Sequence, residues 1–63
     1  MDRLKTKTVI EMLEKDGWYL VRQKGSHRQF KHHSKKGIVT VNGKLNEVQS
    51  QFLLNSIFKQ AGW

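Results

Sequence analysis

His27 follows Gly25-Ser26, a pair that reads as a tight turn, and it is flanked along the chain by Arg22, Lys24, Arg28, Lys31 and Lys36. Imidazole is the side chain whose ordinary pKa, about 6.5, lets it exchange protons near neutrality. By position alone, a strand histidine beside a turn is a solvated polar residue. The cations add a second capability, because they attract phosphates and offset negative charge as it develops. Cleavage of an RNA phosphodiester by its own 2′-hydroxyl needs a base for that hydroxyl, an acid for the leaving oxygen and cations for the phosphorane. His27 can be the base, and Arg22, Lys24 and Arg28 can supply the positive charge. One such acid–base group contributes about 10²–10⁴ in rate, enough for a slow ribonuclease that needs no metal. Ser26 is a poor nucleophile, since its neighbour His27 points the other way from the backbone and cannot serve it as base. Its hydroxyl reads instead as a turn or phosphate hydrogen-bond donor.

The other titratable residues fit this chemistry less well. His32-His33 are consecutive, so on a strand they face opposite ways, and no thiolate or paired carboxylate accompanies them. No metal site and no cofactor are expected. His33 falls in a second turn and His32 at a strand end against the core, and either could bring the missing acid to the site. Asp2, Glu11, Glu14, Asp16 and Glu47 lie at or near helices, where capping and solvation account for them better than two-metal chemistry.

No acidic residue occurs between Asp16 and Glu47, a stretch that holds Arg22, Lys24, Arg28, Lys31, Lys35, Lys36 and Lys44. The remaining five basic and five acidic residues cancel, so the whole net charge of +7 belongs to the middle of the chain. Trp18, Tyr19, Leu20, Val21 and Phe30 interleave with that charge, which allows the block to fold into a sheet. Such a surface attracts nucleic acid, an acidic protein or an anionic membrane surface. Lys31, Lys35 and Lys36 would extend a phosphate track along a loop.

A chain of 63 residues makes one domain, spanning 1–63, and buries only about 60% of its unfolded surface. The lack of cysteine rules out disulfides and thiolate metal sites. No apolar run approaches the roughly 20 residues needed to span a bilayer. Met1-Asp2-Arg3-Leu4-Lys5 has no apolar stretch of the signal-peptide kind, so a cytoplasmic protein is expected.

Turn chemistry and hydrophobic period set the elements that must position these groups. Thr8-Val9-Ile10-Glu11 has the form of a capping box, and Val9, Ile10 and Leu13 keep helical spacing until Gly17. Residues 18–24 and 27–32 read as strands of a hairpin, residues 34–37 as a turn, and residues 38–41 as a third strand closed by Asn42-Gly43. Asn46 can cap a last helix in which Leu54, Ile57, Phe58 and Ala61 form the apolar stripe, with Gly62 as its C-terminal cap. The predicted fold class is α+β, in the order α-β-β-β-α with a three-stranded antiparallel meander.

A two-residue loop pairs Lys24 with His27, Arg22 with Gln29, Val21 with Phe30, Leu20 with Lys31 and Tyr19 with His32. Val21, Phe30, Val39 and Val41 then lie under the helices, and His27 stands on the open face among Arg22, Lys24, Gln29 and Lys31. A three-residue turn would bring Phe30 opposite Leu20 instead. Phe30 and Phe58 read as core, while Trp18 is open between packing and base stacking.

Taken together, Gly17-Trp18, Arg22, Gly25-Ser26-His27, Phe30 and His32 resemble the core signature of the HicA mRNA interferase toxins, and Ile57-Phe58-Lys59-Gln60-Ala61-Gly62 is similar to the end of that family's last helix. The resemblance covers nearly the whole chain. It implies a double-stranded-RNA-binding-domain-like fold with both helices on one face of the sheet, and ribosome-independent cleavage of single-stranded mRNA. It also implies a catalytic histidine that maps onto His27, and a HicB antitoxin that covers the active site. Arg22, Lys24, Ser26, Arg28, Lys31 and Lys36 are the residues expected to hold RNA. After the third strand the family commonly carries proline and a second histidine where this chain has Asn42-Gly43, and the glycine-threonine that usually opens the last helix is replaced around Ser50-Gln51-Phe52.

Two other functions fit the same composition. A non-catalytic double-stranded RNA-binding module would use the same basic surface for shape recognition. A basic interaction domain would take an acidic protein as its ligand. Turnover of RNA separates the first reading from both.

Overall fold

A computed structural model describes residues 4–63, so Asp2 lies outside the described residues. The elements are α1 (Thr6–Lys15), β1 (Tyr19–Lys24), β2 (His27–Lys31), β3 (Val39–Asn42) and α2 (Gln51–Ala61), the α-β-β-β-α order read from the sequence. The strands form an antiparallel meander in the order β1-β2-β3. Val9 and Leu13 of α1 and Leu54, Ile57 and Ala61 of α2 recur every three or four residues, which gathers each set into one stripe. These stripes meet Phe30, Val39 and Val41 on one face of the sheet. Trp18 joins them at 2% exposure, which assigns it to the core and not to base stacking. Phe58 packs partly buried at the margin. No helix among the described residues is long and apolar enough to cross a membrane.

Both helix starts differ from the sequence expectation. Thr8 does not cap α1; the helix begins three residues earlier, after Lys5, with no side-chain cap. Its first N–H groups find backbone partners across the fold: Thr6 N donates to Glu47 O at 2.9 Å and Lys7 N to Leu45 O at 3.0 Å. The Thr6 hydroxyl adds a bond to Glu47 O at 3.1 Å. Donors that a capping box would have served are therefore satisfied by the loop before α2. That loop cannot also be helical, because Val48 bridges Lys5 and Gln49 N donates to Leu4 O at 2.8 Å. Hence Ser50, not Asn46, caps α2, accepting from Leu53 N at 3.2 Å. Gly62 ends it as expected, with Trp63 N bonded to Phe58 O.

The register of the hairpin agrees with a two-residue loop as far as Arg22↔Gln29 and then slips. Val21 is an extra residue, a bulge, so that Leu20 opposes Phe30 and Tyr19 opposes Lys31. Val21 is consequently not under the helices but 45% exposed. Both helices lie against β3, and β1, at the sheet edge, extends beyond their cover and is exposed throughout.

One carboxylate fastens the end of the molecule opposite the hairpin loop. Asp16 Oδ2 accepts from Lys35 Nζ at 2.7 Å, Trp18 Nε1 at 3.0 Å and Trp63 Nε1 at 3.0 Å. The Lys35 ammonium, then the Trp63 and Trp18 indoles, hold its pKa down to about 2 from the usual 3.8. Between those two values the unfolded chain binds the proton and the folded chain does not, so stability rises with pH there. The contribution is complete above about 3.8 and is lost as pH falls through about 2. Thermal melts of Asp16→Asn across that window are expected to lose this part of the acid slope; an unaltered slope would show that Asp16 is not its source.

Candidate active site

The open face of the sheet is built in cross-strand rows. Lys24, His27 and Asn42 form one row, and Arg22, Gln29 and Thr40 the next. The bulge at Val21 then re-aims β1 so that Tyr19 and Lys31 share a third row. Side chains opposite one another in such rows stand about 5 Å apart at Cβ. Arg22, Lys24 and Lys31 are thus brought onto the same face as His27, and all four are exposed. Gly25 makes this possible. At φ +59 it takes the first position of a two-residue turn of the II′ kind, placing Lys24 and His27 directly across from each other.

The His27 ring is held on one side and free on the other. Its Nδ1 lies 2.7 Å from Asn42 Oδ1. An amide oxygen only accepts, so Nδ1 carries the proton and Nε2 is left with its lone pair. Nε2 has no hydrogen-bond partner among the described residues. A ring so disposed can take a proton from a substrate hydroxyl at Nε2. Asn42 is the site residue that sequence reasoning missed. It read as half of an Asn-Gly turn, and nothing local in the sequence links it to a residue fifteen positions earlier.

Arg28 stands apart from the other basic candidates. It alternates with His27 onto the core face, is 8% exposed, and its guanidinium donates to Gly43 O at 2.7 Å and Ser26 O at 3.3 Å. Gly43 N also donates to Ser26 O at 3.2 Å. Arg28 therefore clamps, from beneath, the two turns that flank His27, and presents no free charge to a phosphate. Ser26 is half-buried in one of those turns, with its carbonyl as the clamp's acceptor. Lys36 is exposed in the loop between β2 and β3. Its neighbour Lys35 is withdrawn from any phosphate track by Asp16 and by Ala61 O, 3.1 Å away.

The other two histidines serve different ends. His32 Nε2 donates to Asp16 O at 2.6 Å, while Nδ1 accepts from Ser34 N at 3.1 Å and Lys35 N at 3.3 Å. The ring sits edge-on to Trp18, centroids 5.2 Å apart. Gly17 completes the contact: its φ is +98, and a Cβ there would come within 2.9 Å of His32 Nε2. Gly17, Trp18 and His32 are one structural unit. His33 stacks on Tyr19 at 5.1 Å, beyond the Lys31 end of β2 and so more than roughly 13 Å along the strand from His27. Neither ring is placed beside His27 on the open face. Replacing His32 with alanine should cost about 1–3 kcal/mol by chemical denaturation, from lost and orphaned hydrogen bonds. Any RNA cleavage per folded molecule should be unchanged, and a selective loss of cleavage would return His32 to the chemistry.

Among the described residues, no three His, Asp or Glu side chains converge as a metal site would require. A family model described as HicA toxin of bacterial toxin-antitoxin matches residues 6–63. A search of curated proteins returns no match to this chain. With the match spanning all five elements of the fold, the chain belongs to the HicA toxin family of bacterial toxin-antitoxin systems.

Proposed function

We propose that this protein is the toxin of its pair, an endoribonuclease that cleaves single-stranded mRNA with His27 as general base and without a metal. The observation that carries this reading is the exposed His27 ring, fixed through Nδ1 with Nε2 open, in one row with Lys24 and on one face with Arg22 and Lys31. RNA lies across that face with its phosphates against Arg22, Lys24 and Lys31, and Ser26 and Lys36 extend the contact at its rim. His27 Nε2 removes the proton from a 2′-hydroxyl, the 2′-oxygen bonds to the adjacent phosphorus, and the bond to the 5′-oxygen breaks. Water at the open face gives a proton to the leaving oxygen, and the hydroxide so formed takes the proton back from His27. The products are a 2′,3′-cyclic phosphate and a free 5′-hydroxyl. Lys24, directly across from His27, offsets the charge that builds on the phosphorane. A HicB-like antitoxin neutralises the toxin by covering the same face, where its basic charge favours an acidic partner.

Incubating purified protein with end-labelled single-stranded RNA in EDTA should yield fragments that carry cyclic phosphate ends. A mobility shift without fragments would instead identify a non-catalytic RNA-binding module. In binding titrations, Lys24→Ala should reduce the salt slope of affinity by about one, as the loss of one phosphate contact does. An unchanged slope would remove Lys24 from the RNA path.

A further inference from the structure

We infer that Asn42 is a positioning residue that selects the tautomer of His27, an inference that rests on the nuclease reading above. An imidazole can act as base only through the nitrogen that lacks a proton, and only if that nitrogen faces the substrate. In a neutral histidine the two tautomers interconvert, and a neighbour that accepts from one nitrogen favours the form protonated there. Asn42 Oδ1, 2.7 Å from Nδ1, does this for His27 and leaves Nε2 as the base. The same bond restrains rotation of the ring about its Cβ–Cγ bond.

Asn42 is itself firmly held. It pairs with His27 across β2 and β3, so its side chain leaves the sheet on the same face as the ring. Its carbonyl accepts from Gln49 Nε2 at 2.7 Å, and the same amide donates to Thr6 Oγ1 at 2.7 Å, tying the end of β3 to the start of α1. On the next residue, Gly43 O is fixed by Arg28. Gln49 is 1% exposed and Arg28 8% exposed, so solvent does not compete for these bonds. A carboxamide in this role orients the ring without adding negative charge beside a phosphate, which a carboxylate would do. His32 provides a contrast inside the same molecule: there Nε2 carries the proton and Nδ1 accepts.

The direct test is ¹⁵N NMR of the assigned imidazoles in the intact protein, at a pH where the rings are neutral. His27 should show a protonated Nδ1 and a bare Nε2, and His32 the reverse. Asn42→Ala keeps the backbone carbonyl that Gln49 uses, so it should melt as wild type while His27 shifts toward the Nε2-protonated form. Its kcat for RNA cleavage should fall about tenfold, the worth of one orienting hydrogen bond, with KM nearly unchanged. Asn42→Asp should keep the tautomer but raise KM, because its charge repels the substrate. A wild-type His27 protonated at Nε2, or an Asn42→Ala variant with unaltered imidazole shifts and kcat, would overturn the role of Asn42 and leave the nuclease intact. Wild-type protein that cleaves nothing would defeat the nuclease reading whatever the tautomer.

Discussion

His27→Ala is expected to lower RNA cleavage by about 10²–10⁴-fold, the contribution of a positioned general base. Growth arrest on expression should disappear with it. The substitution removes an exposed ring whose one bond is to a surface amide, so the melting curve should stay within about 0.5 kcal/mol of wild type. RNA affinity should persist, because Arg22, Lys24 and Lys31 are untouched. The separation of these readouts makes the test decisive. Full cleavage by a folded His27→Ala protein would remove the histidine from the reaction. Equal loss of cleavage, affinity and stability would show instead that the ring has a structural role.

Phe30→Ala carries the largest expected effect on folding. Phe30 is 1% exposed, the largest of the fully buried side chains, and it sits between Leu20 and Val39 at the centre of the sheet. Truncating a buried phenylalanine costs about 3–5 kcal/mol, transfer and cavity terms together. A core in a domain of this size rarely supplies more than about 3–5 kcal/mol in total. The variant should therefore be largely unfolded at 25 °C, with no cooperative transition in urea and no near-ultraviolet circular dichroism. Phe30→Leu fills more of the space and should recover a cooperative, weaker transition. A Phe30→Ala protein that melts cooperatively only a few degrees below wild type would mean that the helices and sheet close over the gap.

Much of the site was legible because its parts are local. The pairing of Lys24 with His27 follows from a two-residue turn that Gly25 permits, and strand alternation then puts Arg22, Gln29 and Lys31 on the same side as His27. Charge suggested a phosphate contact for Arg28, but the structure turns it to the core face. Two carbonyls, of Ser26 and Gly43, make that inward position tolerable for a guanidinium, and their placement depends on the neighbouring turn. His32 was open to a catalytic role for the same reason. Its partners, Asp16 O and the amides of Ser34 and Lys35, are backbone atoms, and backbone atoms have no signature in a list of side chains.

The order α-β-β-β-α, the apolar stripes of both helices, the hairpin loop and the concentration of positive charge around His27 were determined by the sequence alone. Each depends on periods and dipeptides a few residues long, which act before the chain meets itself. Tertiary structure alone decided the slip at Val21, the helix starts at Thr6 and Gln51, the hub at Asp16 and the bond from His27 to Asn42. All of these join groups far apart along the chain, and which backbone N–H or carbonyl is left over for a partner is known only when the elements are packed.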